Sequence, residues 1–146
     1  MKPCVLYFFK SGSTSPPKSS PTPPATKPDL EISNIGTEPY PPKVGELFFI
    51  QVRVINIGEA KSGSYKLDVL IHDKTNQYSY GIAGQVDQGP LEPGEDRLWD
   101  KWIPVGGELK WEGHHTLYAE VTPVGFEDGD NSNNKFESSP LWVSLP

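Results

Sequence analysis

The chain holds a single cysteine, Cys4, so no internal disulfide can form and the fold must be held by its core alone. Cys4 is a candidate lipid-attachment or cross-linking position. Only three residues precede it, too few for a signal, and it reads as a stray thiol in a flexible end. Arginine is nearly absent: Arg53 and Arg97 are the only two, and no basic run occurs. Residues 29–146 carry nine basic and 19 acidic residues, a net charge of −10 with neutral histidines. Such a surface repels phosphates, because nucleic-acid binding works by releasing counterions to clustered Lys and Arg. Nucleic acid is excluded as a partner, and anionic membrane surfaces are disfavoured on the same ground. The longest apolar run, Cys4-Val5-Leu6-Tyr7-Phe8-Phe9, is far short of a membrane span. Residues 1–9 read as a leader remnant or an added segment.

The groups that carry catalysis are as scarce. His114 and His115, two of the three histidines, are adjacent, so on a strand they point to opposite faces and do not chelate one ion together. A zinc site needs three or four converging ligands. Cys4 has nothing to hold a base against it. No Gly-x-Ser-x-Gly elbow occurs, and Gly106-Gly107 lacks the Lys and Ser/Thr that would grip a phosphate. No catalytic residue is assigned, and the chain is read as a non-enzyme.

What is present divides into two segments. Residues 1–28 hold seven of the 16 prolines, four lysines and no acid, and Ser11 to Lys27 reads SGSTSPPKSSPTPPATK. With nothing apolar to bury, that stretch cannot offset the entropy cost of ordering. Residues 1–27 are therefore expected to be a disordered Ser/Thr/Pro-rich tether, of the kind that holds a domain away from a surface. From residue 28 to 146 strand signals recur and period-3.6 patterning does not. Leu30, Ile32 and Ile35 mark a first strand, closed by Gly36 and the Pro39, Pro41, Pro42 turn region. Phe48, Ile50, Val52 and Val54 alternate with Phe49, Gln51, Arg53 and Ile55 in a second, which places the first set inward. Leu67, Val69 and Ile71 mark a third strand and Tyr78 to Ile82 a weaker fourth, followed by a turn-rich Gly84 to Gly94. Arg97 to Ile103, Thr116 to Val121 and Lys135 to Val143 complete the set. About seven short strands bounded by Gly, Pro, Asn and Asp describe an all-β antiparallel sandwich of the immunoglobulin/fibronectin-III-like class.

Six short motifs then recur in order: Pro28-Asp29-Leu30, Val44-Gly45-Glu46, Ile55-Asn56-Ile57-Gly58, Leu91-Glu92-Pro93-Gly94-Glu95 leading to Trp102-Ile103-Pro104, Gly113-His114-His115-Thr116-Leu117, and Asn133-Asn134. In this order and spacing the segment resembles the CARDB domain, the cell-adhesion-related domain found in bacteria and archaea. The resemblance implies an immunoglobulin-like sandwich, appended or repeated in secreted and cell-surface proteins, with no catalytic residues to transfer. It also places an apolar residue two before Trp102, where this chain has Asp100. Either Trp99 takes that place through a β-bulge, or the strand is shifted.

Two candidate ligand sites stand out. The turn Glu127 to Asn134 is rich in hard oxygens, and Glu127, Asp128, Asp130 and Asn131 form a candidate calcium set. The EF-hand pattern fails there, with Asn133 where its glycine belongs and Ser139 where its bidentate Glu belongs. Such turns are commonly Asp, Asn and Gly for backbone reasons, and no ion is expected to be required. Tyr78 and Tyr80, two apart on a strand, with Trp99 and Trp111, form a candidate platform for stacking sugar rings. Asn134, at the start of the last strand, is expected to satisfy two backbone groups through its amide. The expectation is a monomeric structural or adhesion module, extracellular or at the cell surface, whose partners are the neighbouring domains of a larger protein and a protein or glycan ligand. A carbohydrate-binding module is the alternative, and a calcium-dependent adhesion domain a third.

Overall fold

The computed structural model describes residues 26–106 and 112–143. Cys4, the apolar run, tether residues 1–25 and Trp111 lie outside them. Eight strands follow in order: β1 Leu30–Glu38, β2 Leu47–Asn56, β3 Tyr65–Asp73, β4 Tyr78–Gln88, β5 Asp96–Pro104, β6 Gly113–Pro123, β7 Lys135–Glu137 and β8 Leu141–Val143. One sheet has the order β1-β2-β5. The other has the order β4-β3-β6-β7, with β8 also paired to β6. Every ladder is antiparallel.

The alternation read in the sequence places the core. Phe48, Ile50, Val52 and Val54 of β2 are buried, as are Leu67, Val69 and Ile71 of β3 and Leu117, Ala119 and Val121 of β6. Leu30, Ile32, Ile35, Tyr65, Leu91, Val105 and Val143 close the same cluster. Each large side chain taken out of water contributes roughly 1.5–3 kcal/mol, so a cluster of this size stabilises the domain without a cross-link.

Four local differences from the sequence reading have physical causes. β1 runs past Gly36 to Glu38, and a register shift between Ile32 and Asn34 inserts one residue. That bulge changes the phase of the strand, which is why Leu30 and Ile32, two apart, and Ile35, three further on, all face inward. β4 reaches Gln88, so much of the expected turn-rich segment is strand. Its pairing with β3 slips on either side of Val69, and Gln85 takes left-handed geometry at φ 49°. Asp68 Oδ1 takes the Gln85 N–H, 2.7 Å, that this irregularity diverts. The expected last strand is two, separated at Ser138–Pro140. There Leu117 N–H donates to the Ser138 hydroxyl, 2.9 Å, so a side chain replaces a ladder acceptor. In β5 neither a bulge nor a shift occurs: pairing with β2 is continuous from Leu47–Pro104 to Ile55–Asp96. Ile103 and Trp99 share the inward phase with Phe48 and Val52, while Asp100 and Trp102 face out, the Trp102 ring 5.0 Å from Phe49.

The strand directions separate the ends of the chain. β1 begins beside Asn56, the last residue of β2, and β8 ends at Val143 beside Gly113, the first residue of β6. The described polypeptide therefore enters at one pole of the sandwich and leaves at the other.

Candidate functional site

At the pole where the chain enters, polar side chains are buried in number. Asn56 has no exposed surface. Its Oδ1 accepts the Asp29 and Gly58 N–H groups, each at 3.1 Å, and its Nδ2 donates to Ala60 O at 2.8 Å and Leu91 O at 3.0 Å. Ser62 completes the corner: its N–H donates to Leu91 O and its hydroxyl accepts the Leu91 N–H. One amide thus ties the β1 lead-in, the end of β2 and the β4–β5 connection. Gly58 is required because a Cβ there would lie 2.4 Å from Lys27 O and 2.5 Å from Asp29 N.

The β6–β7 turn packs against the same lead-in. Leu30 N–H donates to Asp128 Oδ1 at 2.9 Å, Gly129 N–H to Pro28 O at 2.8 Å, and Asn133 Nδ2 to Asp29 Oδ1 at 2.8 Å. Burial, set against bonds from Leu30, Asn134 and Gly129, pushes the Asp128 carboxyl above its ordinary range, and the Asp29 charge adds to that rise. The four calcium candidates separate into different roles. Asp128 is 5% exposed, whereas Glu127, Asp130 and Asn131 are exposed. Glu127 pairs with Lys27 at 2.8 Å, Asp130 accepts the Ser132 N–H, and Asn131 Oδ1 accepts Asn134 Nδ2 at 3.3 Å. Asn134, expected to satisfy two backbone groups, is buried, but its amide meets other side chains. The double backbone role expected of it belongs to Asn56. Among the described residues no group of three or more His, Cys, Asp or Glu side chains converges.

The sugar-platform candidates sit at the open side between β4 and β5. Tyr78 is 64% exposed, and its ring lies 6.5 Å from that of Tyr80 at 41°, so the two rings do not share a plane. Trp99, on the other sheet, is half-buried against the core. Tyr80 lines a cleft of ≈ 210 Å³ with Ile82, Lys101 and Ile103, where Lys101 Nζ donates to Ile82 O at 3.0 Å.

The sequence did not single out the outer face of the five-stranded sheet. His72 and Tyr118 stack there at 5.3 Å, and Tyr118 donates to Glu120 Oε2 at 3.0 Å. Burial and then Glu120 raise that phenol to about 12. Glu137 takes Lys74 Nζ at 2.5 Å and the Thr116 hydroxyl at 2.6 Å, contacts that hold its carboxyl below the ordinary range. His114 packs its edge on Trp142, while His115 on the opposite face is buried with Nε2 3.9 Å from Asp73 Oδ2. Burial disfavours the Asp73 charge, but bonds from Asn76 and Thr75 outweigh it and the carboxyl lies low. Period-2 alternation could have collected His72, Thr116 and Tyr118 on one face. No local signal points to their cross-strand partners.

The CARDB family model matches residues 27–138. The chain belongs to the CARDB family. A crystal structure of the CARDB domain of a Pyrococcus furiosus protein in complex with di-metal ions is similar at 21% identity and TM-score 0.60, over 81% of this chain and 90% of that one. Residues 272–376 of a candidate cell surface protein from Methanosarcina acetivorans match at 19% identity and TM-score 0.54, over 81% of this chain and 93% of that domain. The alkylpurine DNA glycosylase AlkC of Pseudomonas fluorescens, bound to DNA, matches at 12% identity and TM-score 0.56, over 79% of this chain but 30% of that one. In that enzyme the fold is one part of a longer chain. No curated protein sequence matches. These likenesses establish the immunoglobulin-like CARDB sandwich, and no described helix is long and apolar enough to cross a membrane.

Proposed function

We propose that this CARDB domain is a non-catalytic spacer and protein-interaction module of a larger secreted or cell-surface protein, carried on its Pro-rich N-terminal segment. The observation that carries the reading is the opposite placement of chain entrance and exit. A domain threaded that way adds its full strand length to the distance between its neighbours. Family membership and the likeness to a domain of a candidate surface protein support the same reading. The test is exchange: in the full-length surface protein, an unrelated sandwich with the same end-to-end length should restore function. Loss of function despite correct display would point to a specific ligand.

The exposed Tyr78 ring beside the β4–β5 cleft supports a second reading, glycan binding. Saturable binding on a glycan array that disappears in Tyr78→Ala would favour it over the spacer. The di-metal complex of the Pyrococcus domain supports a cation-dependent form of the first role.

A further inference from the structure

The outer face of the three-stranded sheet carries an arrangement that the core does not require. The registers align three rows across it: Glu38, Phe49 and Trp102; then Gly36, Gln51 and Asp100; then Asn34, Arg53 and Leu98. Same-face residues two apart on a strand stand about 6.7 Å apart, so the outer rows flank the middle one as two walls. The middle row is low. Gly36 brings no side chain to it, and a Cβ there would meet nothing nearer than Asn34 Nδ2 at 3.9 Å. A shallow trough therefore crosses all three strands, about 10 Å from β1 to β5 at the usual strand spacing. Toward its far wall it opens into a cleft of ≈ 320 Å³ lined by Asn34, Gln51, Arg53, Asp96 and Leu98.

Walls and floor differ in chemistry. On one wall Trp102 is 57% exposed, propped by the half-buried Phe49 ring at 5.0 Å and 45°. A ring left in water forgoes the gain of burial, whereas Trp99, three residues back, packs on the core. On the floor Gln51 and Asp100 are cross-strand neighbours, and neither side chain has a hydrogen bond or ion pair among the described residues. On the other wall Arg53 Nε donates to Asp96 Oδ2 at 2.8 Å, so its charge is already answered.

A sugar ring matches this set. The C–H face of a pyranose packs on an aromatic ring, and its hydroxyls each donate and accept. Gln51 supplies a donor and an acceptor, and Asp100 supplies acceptors. With Arg53 neutralised, Glu38 and Asp100 leave the face negative, which repels uronic or sulfated sugars. A protein partner is disfavoured by area. The exposed parts of Leu47, Trp102 and Leu98 sum to about 350 Å² of apolar surface, under half the roughly 800 Å² that each partner of a stable interface covers. Gln51 and Asp100 also split that surface, where an interface core would be depleted of charge.

We propose that the trough binds a neutral glycan of glucose-type, equatorially hydroxylated pyranoses, with Trp102 stacking one ring and Gln51 and Asp100 bonding its hydroxyls. This rests on the glycan reading and gives it a different site, on the opposite sheet from Tyr78. The trough lies on the flank of the sandwich, so a glycan held there leaves both poles clear for the chain.

The test is isothermal titration of the whole chain with cellohexaose and laminarihexaose, with hexagalacturonate as the anionic control, alongside thermal melts of every variant. Saturable heat is expected with at least one neutral hexaose and none with the galacturonate. Trp102→Ala should weaken binding roughly tenfold or more, and Trp102→Phe, which keeps a smaller ring, roughly threefold. Gly36→Val fills the trough without touching the aromatic wall and should also weaken binding roughly tenfold. All three should melt within a few degrees of the parent, since Trp102 is exposed and Gly36 has open space above it. Tyr78→Ala should bind like the parent. Loss of binding in Tyr78→Ala with Trp102→Ala unaffected would overturn this site and leave the glycan reading standing. No saturable heat with either neutral hexaose would overturn both, and galacturonate binding as well as the neutral sugars would overturn the neutral class. Concentration-dependent dimers in sedimentation, abolished by Trp102→Ala, would overturn the site in favour of a second copy of the chain.

Discussion

Replacing Asn56 by alanine removes four hydrogen bonds at once, two accepted and two donated, all to backbone groups. At about 1 kcal/mol net for each bond the loss is about 4 kcal/mol. Leu91 O keeps the Ser62 N–H, and water can reach part of the corner once the side chain is gone, so about 3 kcal/mol is the lower end. Asn56→Asp keeps both accepted bonds. It also sets a carboxylate oxygen against Ala60 O and Leu91 O, so it should cost about as much as alanine. Either loss is a large fraction of the 5–15 kcal/mol typical of a domain. Urea unfolding followed by tryptophan fluorescence measures it through the midpoint, provided the slope m is unchanged. A loss below about 1 kcal/mol for both variants at constant m would refute the view that this amide holds the corner.

Three further outcomes are expected. Gly58→Ala forces a Cβ into the Lys27 and Asp29 backbone and should cost about 2 kcal/mol, whereas Gly84→Ala, with nothing within 4 Å, should melt within a degree or two of the parent. A chain beginning at Lys27 should unfold at the parent midpoint, because Lys27 O and Pro28 O still accept the Glu59 and Gly129 N–H groups; one beginning at Leu30 should not. Glu137 has a lowered folded-state pKa, so its contribution is present above the unfolded-state value and is lost as pH falls through the folded one. It is half exposed and screened, so Glu137→Gln should cost under about 1 kcal/mol at pH 7 and flatten the acid limb of the stability profile.

Strand existence and facing were legible because period-2 alternation reports burial directly, as in Phe48 to Val54. Ile35 stood out of phase with Leu30 and Ile32, the trace of a bulge that alternation alone does not locate. β4 was read short because its glycines and Gln85 look like turn, while long-range pairing with β3 keeps it extended to Gln88. The importance of the polar motifs was visible, and their division of labour was not. Asn56 and Leu91 are 35 residues apart, Asp128 and Leu30 are 98 apart, and nothing local distinguishes Asn56 from Asn134. The exposed acids Glu127 and Asp130 drew attention by composition, whereas no local signal marked Asp128 and Asn134 as the buried members of the turn.

The opposed chain entrance and exit also set how the domain would respond to tension. Force applied through Leu30 and Val143 pulls β1 along its own axis against β2, with the ladder from Leu30–Asn56 to Glu38–Phe49 lying across the load. The rungs of that ladder share the pull simultaneously instead of parting one after another, the geometry of a lap joint and not of a zip. The Asn56 corner and the Asp29–Asn133 contact grip Asp29, the residue just before β1, so they are the rivets that slip first.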